Sequence, residues 1–528
     1  MIHGVALGLV DLPVDILLHI LVYFDVYDLV RARRICNTLR RVIDSSEKLL
    51  YAIDLKYYRM IHLPGSASPI ATRRRLLRQS ETAWQKAEYS QRCHIPFPYP
   101  DAHHKWSCGV LGIATPEEIK FIQPPPSPSD HTDTTAWRQW SHKIDESGMV
   151  DHCFSPVQDL LVLIIRVHQG EDHDYEVSFR SLSEDKVHPD AASAVLKVPD
   201  AQAQVDFEFL HYSDVEGKLF GDYFGLICKN VRLDGATVDV LQVWKWKAKD
   251  WCQVKLFDSE DGTSDFCLIA NDRLLVVNNT GELMLYSLVD PPIDLPNAIQ
   301  LIAKFSLPAL PPSFYFGYIH FSDNQDYSFT MPLCSSWFQA SPCSQLIAIN
   351  AFSARGRDRG FKLYIGQNTF LELESTYTNL YGIATQYSRA LPWSAWGPQY
   401  TWFFSGNLNS YSWHSSHGFR TVELIGDIQP LGGPLHPRQL CIRDFNPHRV
   451  IHYKVGNRTK GHEQLVEGGS PNSDTHNHFL TDGLPYLEIT TQEKFLASGI
   501  EFMDESRVFL SLVNEDRVVD GIEVLYFR

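Results

Sequence analysis

From about Ile95 onward the sequence keeps returning to one local form, a turn followed by a short apolar run and then a second strand-like run. Ser155-Pro156-Val157-Gln158-Asp159-Leu160-Leu161-Val162-Leu163 is echoed by Ser341-Pro342-Cys343-Ser344-Gln345-Leu346-Ile347-Ala348-Ile349. Asp272 to Val277 and Ser506 to Leu510 have the same shape. The partner runs are Tyr175 to Leu182, Glu282 to Leu288, Phe361 to Ile365 and Glu523 to Phe527, and Gly221 to Cys228 is followed in the same way by Val238 to Trp246. Small β units repeated at intervals of roughly 50 to 70 residues cannot bury both faces alone, and stacking them around a ring is the arrangement that does so. The expectation for residues 95–528 is a large all-β domain, a β-propeller of about seven blades, with six and eight also allowed by the length. The WD signature, which combines a Gly-His and a Trp-Asp pair in each unit, is absent.

The first sixty residues have a different periodicity. After Pro13, which suits the first turn of a helix, Val14, Leu17, Leu18 and Leu21 fall at i, i+3, i+4, i+7, while Ile16, Ile20 and Phe24 form a second stripe at i, i+4, i+8. A piece of about forty residues is too small to cover both faces, so the second stripe calls for a partner surface. Asp25 is placed to cap a second helix, with Leu29 and Val30 facing the core. Ile35, Leu39, Val42 and Ile43 mark the apolar side of a third helix, and Arg33, Arg34, Arg40 and Arg41 its solvated side. Further helices are expected over Glu47 to Met60 and from Ser68-Pro69 to about Tyr89.

The spacing Leu12-Pro13-x-Asp15-Ile16-Leu17-x-x-Ile20-Leu21, then Asp28-Leu29, then Arg34-Ile35-Cys36-x-x-Leu39-Arg40, resembles an F-box. The resemblance implies docking on the Skp-type adaptor of a cullin-RING ubiquitin ligase through Leu12, Pro13, Ile16, Leu17, Ile20, Leu21, Phe24 and Leu29. The Arg75-Leu76-Leu77 stretch ahead of Trp84, and the segments Gln158 to Val162, His188-Pro189-x-Ala191, Val243-Trp244-x-Trp246 and Arg443 to Val450, are similar to fungal F-box proteins with a C-terminal β domain. The expected organisation is α+β and multidomain: an F-box helical domain at 1–60, a helical linker at 61–94 and the β-propeller-like domain at 95–528.

Charge divides along the same line. The first 92 residues carry 14 Lys and Arg against 9 Asp and Glu, which leaves 33 against 54 for the remainder of a chain with a net charge of −16. An acidic β domain does not favour nucleic acid, whose phosphates require a basic surface. Arg73-Arg74-Arg75 and Arg78 lie in an amphipathic run and are expected on a solvated helix face. Ten cysteines without a C-x-x-C pair are expected as thiols, which fits cytoplasm and/or nucleus. Met1 to Val10 lacks a basic n-region, so no secretory signal is expected. The apolar run Leu160 to Ile165 is too short to span a bilayer, so no membrane partner is expected.

No P-loop, dinucleotide fingerprint, nucleophile elbow or HExxH occurs. His103-His104 with Asp101, and His476-x-His478 with Asp474, are the close histidine pairs, but neither has ligands at a recurrent spacing, so no metal and no cofactor is expected. The sequence therefore favours a non-catalytic substrate receptor that binds a target protein through its β domain. The alternative is a propeller enzyme of hydrolase type, with acids or histidines converging at the channel and an incidental helical N-terminus. Trp337, Trp393, Trp396 and Tyr400 are the candidate target anchors, with a role as plugs between blades the competing reading. Gly456 to Asp482 is expected as a long exposed insertion.

Overall fold

Local signals set the helix boundaries at the start of the chain. α1 (Val14–Leu21) begins directly after Pro13, whose missing N–H is an unbonded position in any helix. α2 (Val26–Ile35) starts at Asp25, whose carboxylate accepts the Tyr27 N–H at 2.5 Å. The Cys36 thiol takes the same position ahead of α3 (Asn37–Ser45), accepting from Leu39 N at 3.5 Å. The Ser46 hydroxyl does so ahead of α4 (Glu47–Tyr58), accepting from Leu49 N at 3.4 Å. Leu17, Leu21, Leu29, Leu39, Val42, Ile43 and Leu49 close a small core between these helices. α5 (Ile70–Lys86) follows and ends at Ala87, which takes a left-handed conformation.

The computed structural model describes residues 9–63, 68–96, 103–115, 117–124, 137–144, 148–169, 172–198, 215–231, 237–249, 252–257, 262–288, 299–309, 316–322, 338–342, 345–353, 356–385, 387–406, 415–426, 436–456, 463–467, 483–514 and 519–528.

Among the described residues of the rest, seven antiparallel sheets form the blades of a ring. Blade 1 holds His103–Ser107, Val110–Ala114, Glu118–Gln123 and Arg138–Lys143. Blade 2 holds Met149–Ser155, Leu160–Gln169, Asp172–Ser181 and Val195–Val198. Blade 3 holds Val215–Phe220, Tyr223–Val231, Thr237–Lys245 and Cys252–Phe257. Blade 4 holds Thr263–Ala270, Arg273–Asn278, Glu282–Ser287 and Gln300–Ser306. Blade 5 holds Phe316–Ser322, Leu346–Ser353, Gly356–Gly366 and Thr401–Gly406. Blade 6 holds Ser416–His417, Arg420–Ile425, Arg438–Asp444 and Tyr486–Phe495, with Gln464–Val466 as a fifth, outer strand. Blade 7 holds Ala497–Met503, Arg507–Val513 and Val519–Tyr526, and its outer strand is Gln91–Pro96 from the other end of the chain.

The closing pair is antiparallel, with Gln91 opposite Tyr526 and Ile95 opposite Ile522. The strand Gln91–Pro96 thus crosses the boundary expected between 94 and 95. It belongs to the last blade because Ile95 is buried with Ile522 and Val524. Seven apolar clusters lie between neighbouring blades, including one between blades 7 and 1 in which Trp106 meets Phe502 and Phe509, so the ring is closed.

The turn-then-apolar motifs of the sequence are the second strands of blades 2, 4, 5 and 7, and the runs after them are the third strands. Cys108 and Gly109 join the first two strands of blade 1 with φ of 45° and 72°, the left-handed pair that a two-residue hairpin turn needs. Among the described residues, three helices interrupt the β pattern. α6 (Gln367–Tyr381) and α7 (Trp393–Tyr400) lie between the third and fourth strands of blade 5. α8 (Pro447–Gly456) leaves blade 6 after Asn446, whose side-chain oxygen accepts the His448 N–H at 3.0 Å.

Candidate adaptor-docking face

The helical domain leaves an unusual amount of apolar surface in water. Ile16 is 48% exposed, Tyr23 77% and Ile35 73%, and Val14, Val22, Phe24 and Tyr27 are exposed beside them. Of the residues expected to dock the adaptor, Pro13, Ile16 and Phe24 are exposed and Leu12 and Ile20 half-buried. Leu17, Leu21 and Leu29 are different. Each is about 1% exposed inside the domain's own core, so their part is to hold the helices together, and the expectation of direct docking by these three is corrected. The reason is geometric: Leu17 and Leu21 share one face of α1, and that face is the one turned to α3. Val14 and Ile35, assigned by spacing to the local core, lie outside it. α1 ends at Leu21, so Phe24 sits in the turn beyond the helix and not on its second stripe.

This face is fixed relative to the propeller by the helices behind it. The guanidinium groups of Arg74 and Arg78 on α5 donate to the Asp54 carboxylate on α4, at 2.8 Å and at 2.7 and 2.9 Å. Arg78 keeps the solvated position expected of it while Arg74 is largely covered, and both tie the two helices together. Trp84 stacks on Phe527 with ring centroids 4.0 Å apart, and its indole N–H donates to the Glu505 carbonyl at 2.9 Å. Glu81 is buried against Arg420 of blade 6, and Asp444 accepts from both Arg420 and Arg449. Tyr57 of α4 meets His452 of α8 at 3.0 Å, and its carbonyl accepts from the Asn446 side chain at 2.9 Å. Strand Met60–His62 pairs with Phe338–Ala340 between two strands of blade 5.

The expected target anchors divide. Trp396 is fully buried between Phe305 and Phe370 and donates its N–H to the Ser306 carbonyl at 3.2 Å, so it is a plug and not an anchor. Trp393 and Tyr400 are half-buried and pack against the same core. Trp337 lies outside the described residues, as does most of Gly456 to Asp482, of which Gly456 and 463–467 are described.

The inner strands of the blades carry charge. Lys105 of blade 1 pairs with Asp151 of blade 2 at 2.7 Å, and Asp151 accepts the Gly217 N–H of blade 3 at 3.0 Å. The same device recurs two blades on: Lys218 of blade 3 pairs with Asp265 of blade 4 at 2.7 Å, and Asp265 accepts the Phe321 N–H of blade 5 at 2.7 Å. Each carboxylate spans three blades. His104 turns to Glu501 of blade 7 at 3.0 Å, while His103, its neighbour on the opposite face of the strand, turns to His152 with ring centroids 5.5 Å apart. His103 and His104 thus turn to different partners, while Asp101 and the second histidine pair, His476 and His478 with Asp474, lie outside the described residues. Burial, then the nearby Lys105, pushes His152 down to about 3, and the same two causes lower His103. Here two histidines and a carboxylate converge. The carboxylate is already engaged by an ammonium group and by two backbone N–H groups, from His152 and Gly217, which leaves it poorly placed to act as a general base.

A family model described as F-box-like matches residues 9–56. No curated protein matches the chain. Among solved structures, the WD40 domain of SCAP from fission yeast is similar at 7% identity and a TM-score of 0.35, covering 79% of this chain and 82% of that one. BamB from Moraxella catarrhalis is similar at 8% identity and a TM-score of 0.28, covering 83% and 97%. No helix among the described residues is long and apolar enough to cross a membrane. The chain therefore carries an F-box-like domain at residues 9–56 followed by a seven-bladed β-propeller.

Proposed function

We propose that the chain is the non-catalytic substrate-recognition subunit of an SCF-type cullin-RING ubiquitin ligase, holding the Skp-type adaptor with its F-box and a target protein with its propeller. The observation that carries this reading is the exposed apolar surface around Pro13, Ile16, Ile20 and Phe24, on a domain whose own core is already complete without it. The ties from α5 to the propeller support the same role, because a receptor that presents a target to a ligase must hold the two ends at a fixed separation. Cys36, Cys93, Cys108, Cys153, Cys228, Cys267 and Cys441 are free thiols, which suits a reducing compartment such as cytoplasm or nucleus.

Co-purification of the adaptor with tagged full-length chain tests the reading. Ile16→Asp is the sharper variant, since Ile16 is exposed in the free chain while Ile20 is half-buried and also supports the helix. A buried, unpaired carboxylate costs several kcal/mol, roughly a hundredfold or more in affinity. The adaptor should be lost from Ile16→Asp while the propeller keeps its thermal transition. Full recovery of the adaptor with Ile16→Asp would refute the docking face.

A further inference from the structure

We propose that His103, Asp151 and His152 form a binding site for a divalent transition ion, zinc by the character of the donors, at the inner edge where blades 1 and 2 meet. The ligand atoms of all three side chains lie within 4.8 Å of one another. Two imidazoles and one carboxylate are a donor set that suits zinc and leaves a fourth position for water or another ligand. A tetrahedron with bonds near 2.1 Å needs donors about 3.4 Å apart, so closure requires a movement on the order of an ångström. His103 can supply it because its side chain is on the exposed rim of the strand.

The independent observation is His152. It is completely buried, and neither Nδ1 nor Nε2 has a hydrogen-bond partner among the described residues. An imidazole in that position costs stability unless something accepts or donates to it, and a cation coordinated by one nitrogen would relieve half of that cost. The backbone is arranged to bring adjacent residues to one point. A bulge between Met149 and Asp151 breaks the strict alternation of the strand, so Asp151 and His152 both reach the cluster. The Asp151 carboxylate is oriented in turn by the N–H groups of His152 and Gly217, as metal-ligating carboxylates usually are.

Lys105 opposes the ion. Its ammonium group sits 2.7 Å from Asp151 and competes for the same carboxylate, so the site is a balance between a resident lysine and a divalent cation. This gives the experiment two arms. Tag-free full-length chain is stripped with EDTA and titrated with Zn²⁺ against a chromophoric chelator, and separately with Co²⁺ while its visible absorption is followed. One ion per chain is expected, with cobalt bands of tetrahedral intensity. His103→Ala, at an exposed position, should keep the fold and weaken binding at least about tenfold, since it removes one of three protein ligands. Lys105→Met should tighten binding several-fold by removing the competing cation. Binding below one ion per chain in the wild type, or undiminished zinc binding in His103→Ala, overturns the proposal.

Discussion

Glu423 shows how the propeller uses charge at single positions. Burial alone would raise its pKa, but the guanidinium of Arg443 and the ammonium of Lys362 outweigh burial and hold it at about 2. A folded pKa depressed from 4.5 means stability that is complete above that value and lost as pH falls towards 2, on the order of 3 kcal/mol. Glu423→Gln should lower the unfolding free energy at pH 7 by roughly 3–5 kcal/mol, because Lys362 and Arg443 are left short of a buried counter-charge. Denaturant titrations at pH 7 and pH 3 check this. The gap between wild type and variant should narrow at the lower pH, and a constant gap would show that the pairing contributes nothing. At this scale the sequence was only partly legible. The spacing of Leu17, Leu21 and Leu29 reveals that they are apolar and helical, yet domain core and docking face call for the same residue types. Trp396 could not be told from an exposed anchor, since its burial depends on Phe305 and Phe370, which come from other elements.

Among the elements, α5 decides whether the molecule behaves as one body. Trp84, Ala83 and Ala87 complete an apolar cluster with Leu424, Leu440, Leu525 and Phe527 of blades 6 and 7. Trp84→Ala should cost about 3–5 kcal/mol and uncouple the F-box from the ring. Calorimetry is the readout: one transition is expected for the wild type and two for the variant, and a single, merely lowered transition would place the coupling elsewhere. The second and third strands of the blades were legible because they lie in the middle of a sheet with both faces buried, which writes a nearly continuous apolar run. First strands were not. Lys105, Asp151, Lys218 and Asp265 interrupt their pattern, and the partners that make those charges tolerable sit one blade away. α6 carried a readable signal that a strand-oriented reading passed over: Phe370, Leu373 and Tyr377 recur at helical spacing and are all buried.

For the whole molecule the seam of the ring is the controlling feature. Deleting residues 499–528 removes most of three of the four strands of blade 7 and exposes the clusters on both of its sides. Such a truncation should lose the cooperative transition of the entire propeller, as followed by tryptophan fluorescence in urea, whereas a soluble, cooperatively folding product would show that the blades do not depend on closure. The number of blades was legible to within one from length and repeat spacing. The place of closure was legible only to the nearest element. The last blade packs on Trp106 of blade 1, but its hydrogen-bonded partner is Gln91–Pro96, in what reads locally as the tail of a helical linker.

That closing strand also sets an order of events during synthesis. Gln91–Pro96 leaves the ribosome roughly four hundred residues ahead of Val519–Tyr526, so at 5–20 residues per second its hydrogen-bonding edge waits about 20 to 80 seconds for its complement. The F-box has no such wait, because its core is assembled from Leu17 to Leu49 alone. In that interval the N-terminal helices are finished while the ring is still open, and only completion of the last blade brings Phe527 onto Trp84 to lock the two halves in register.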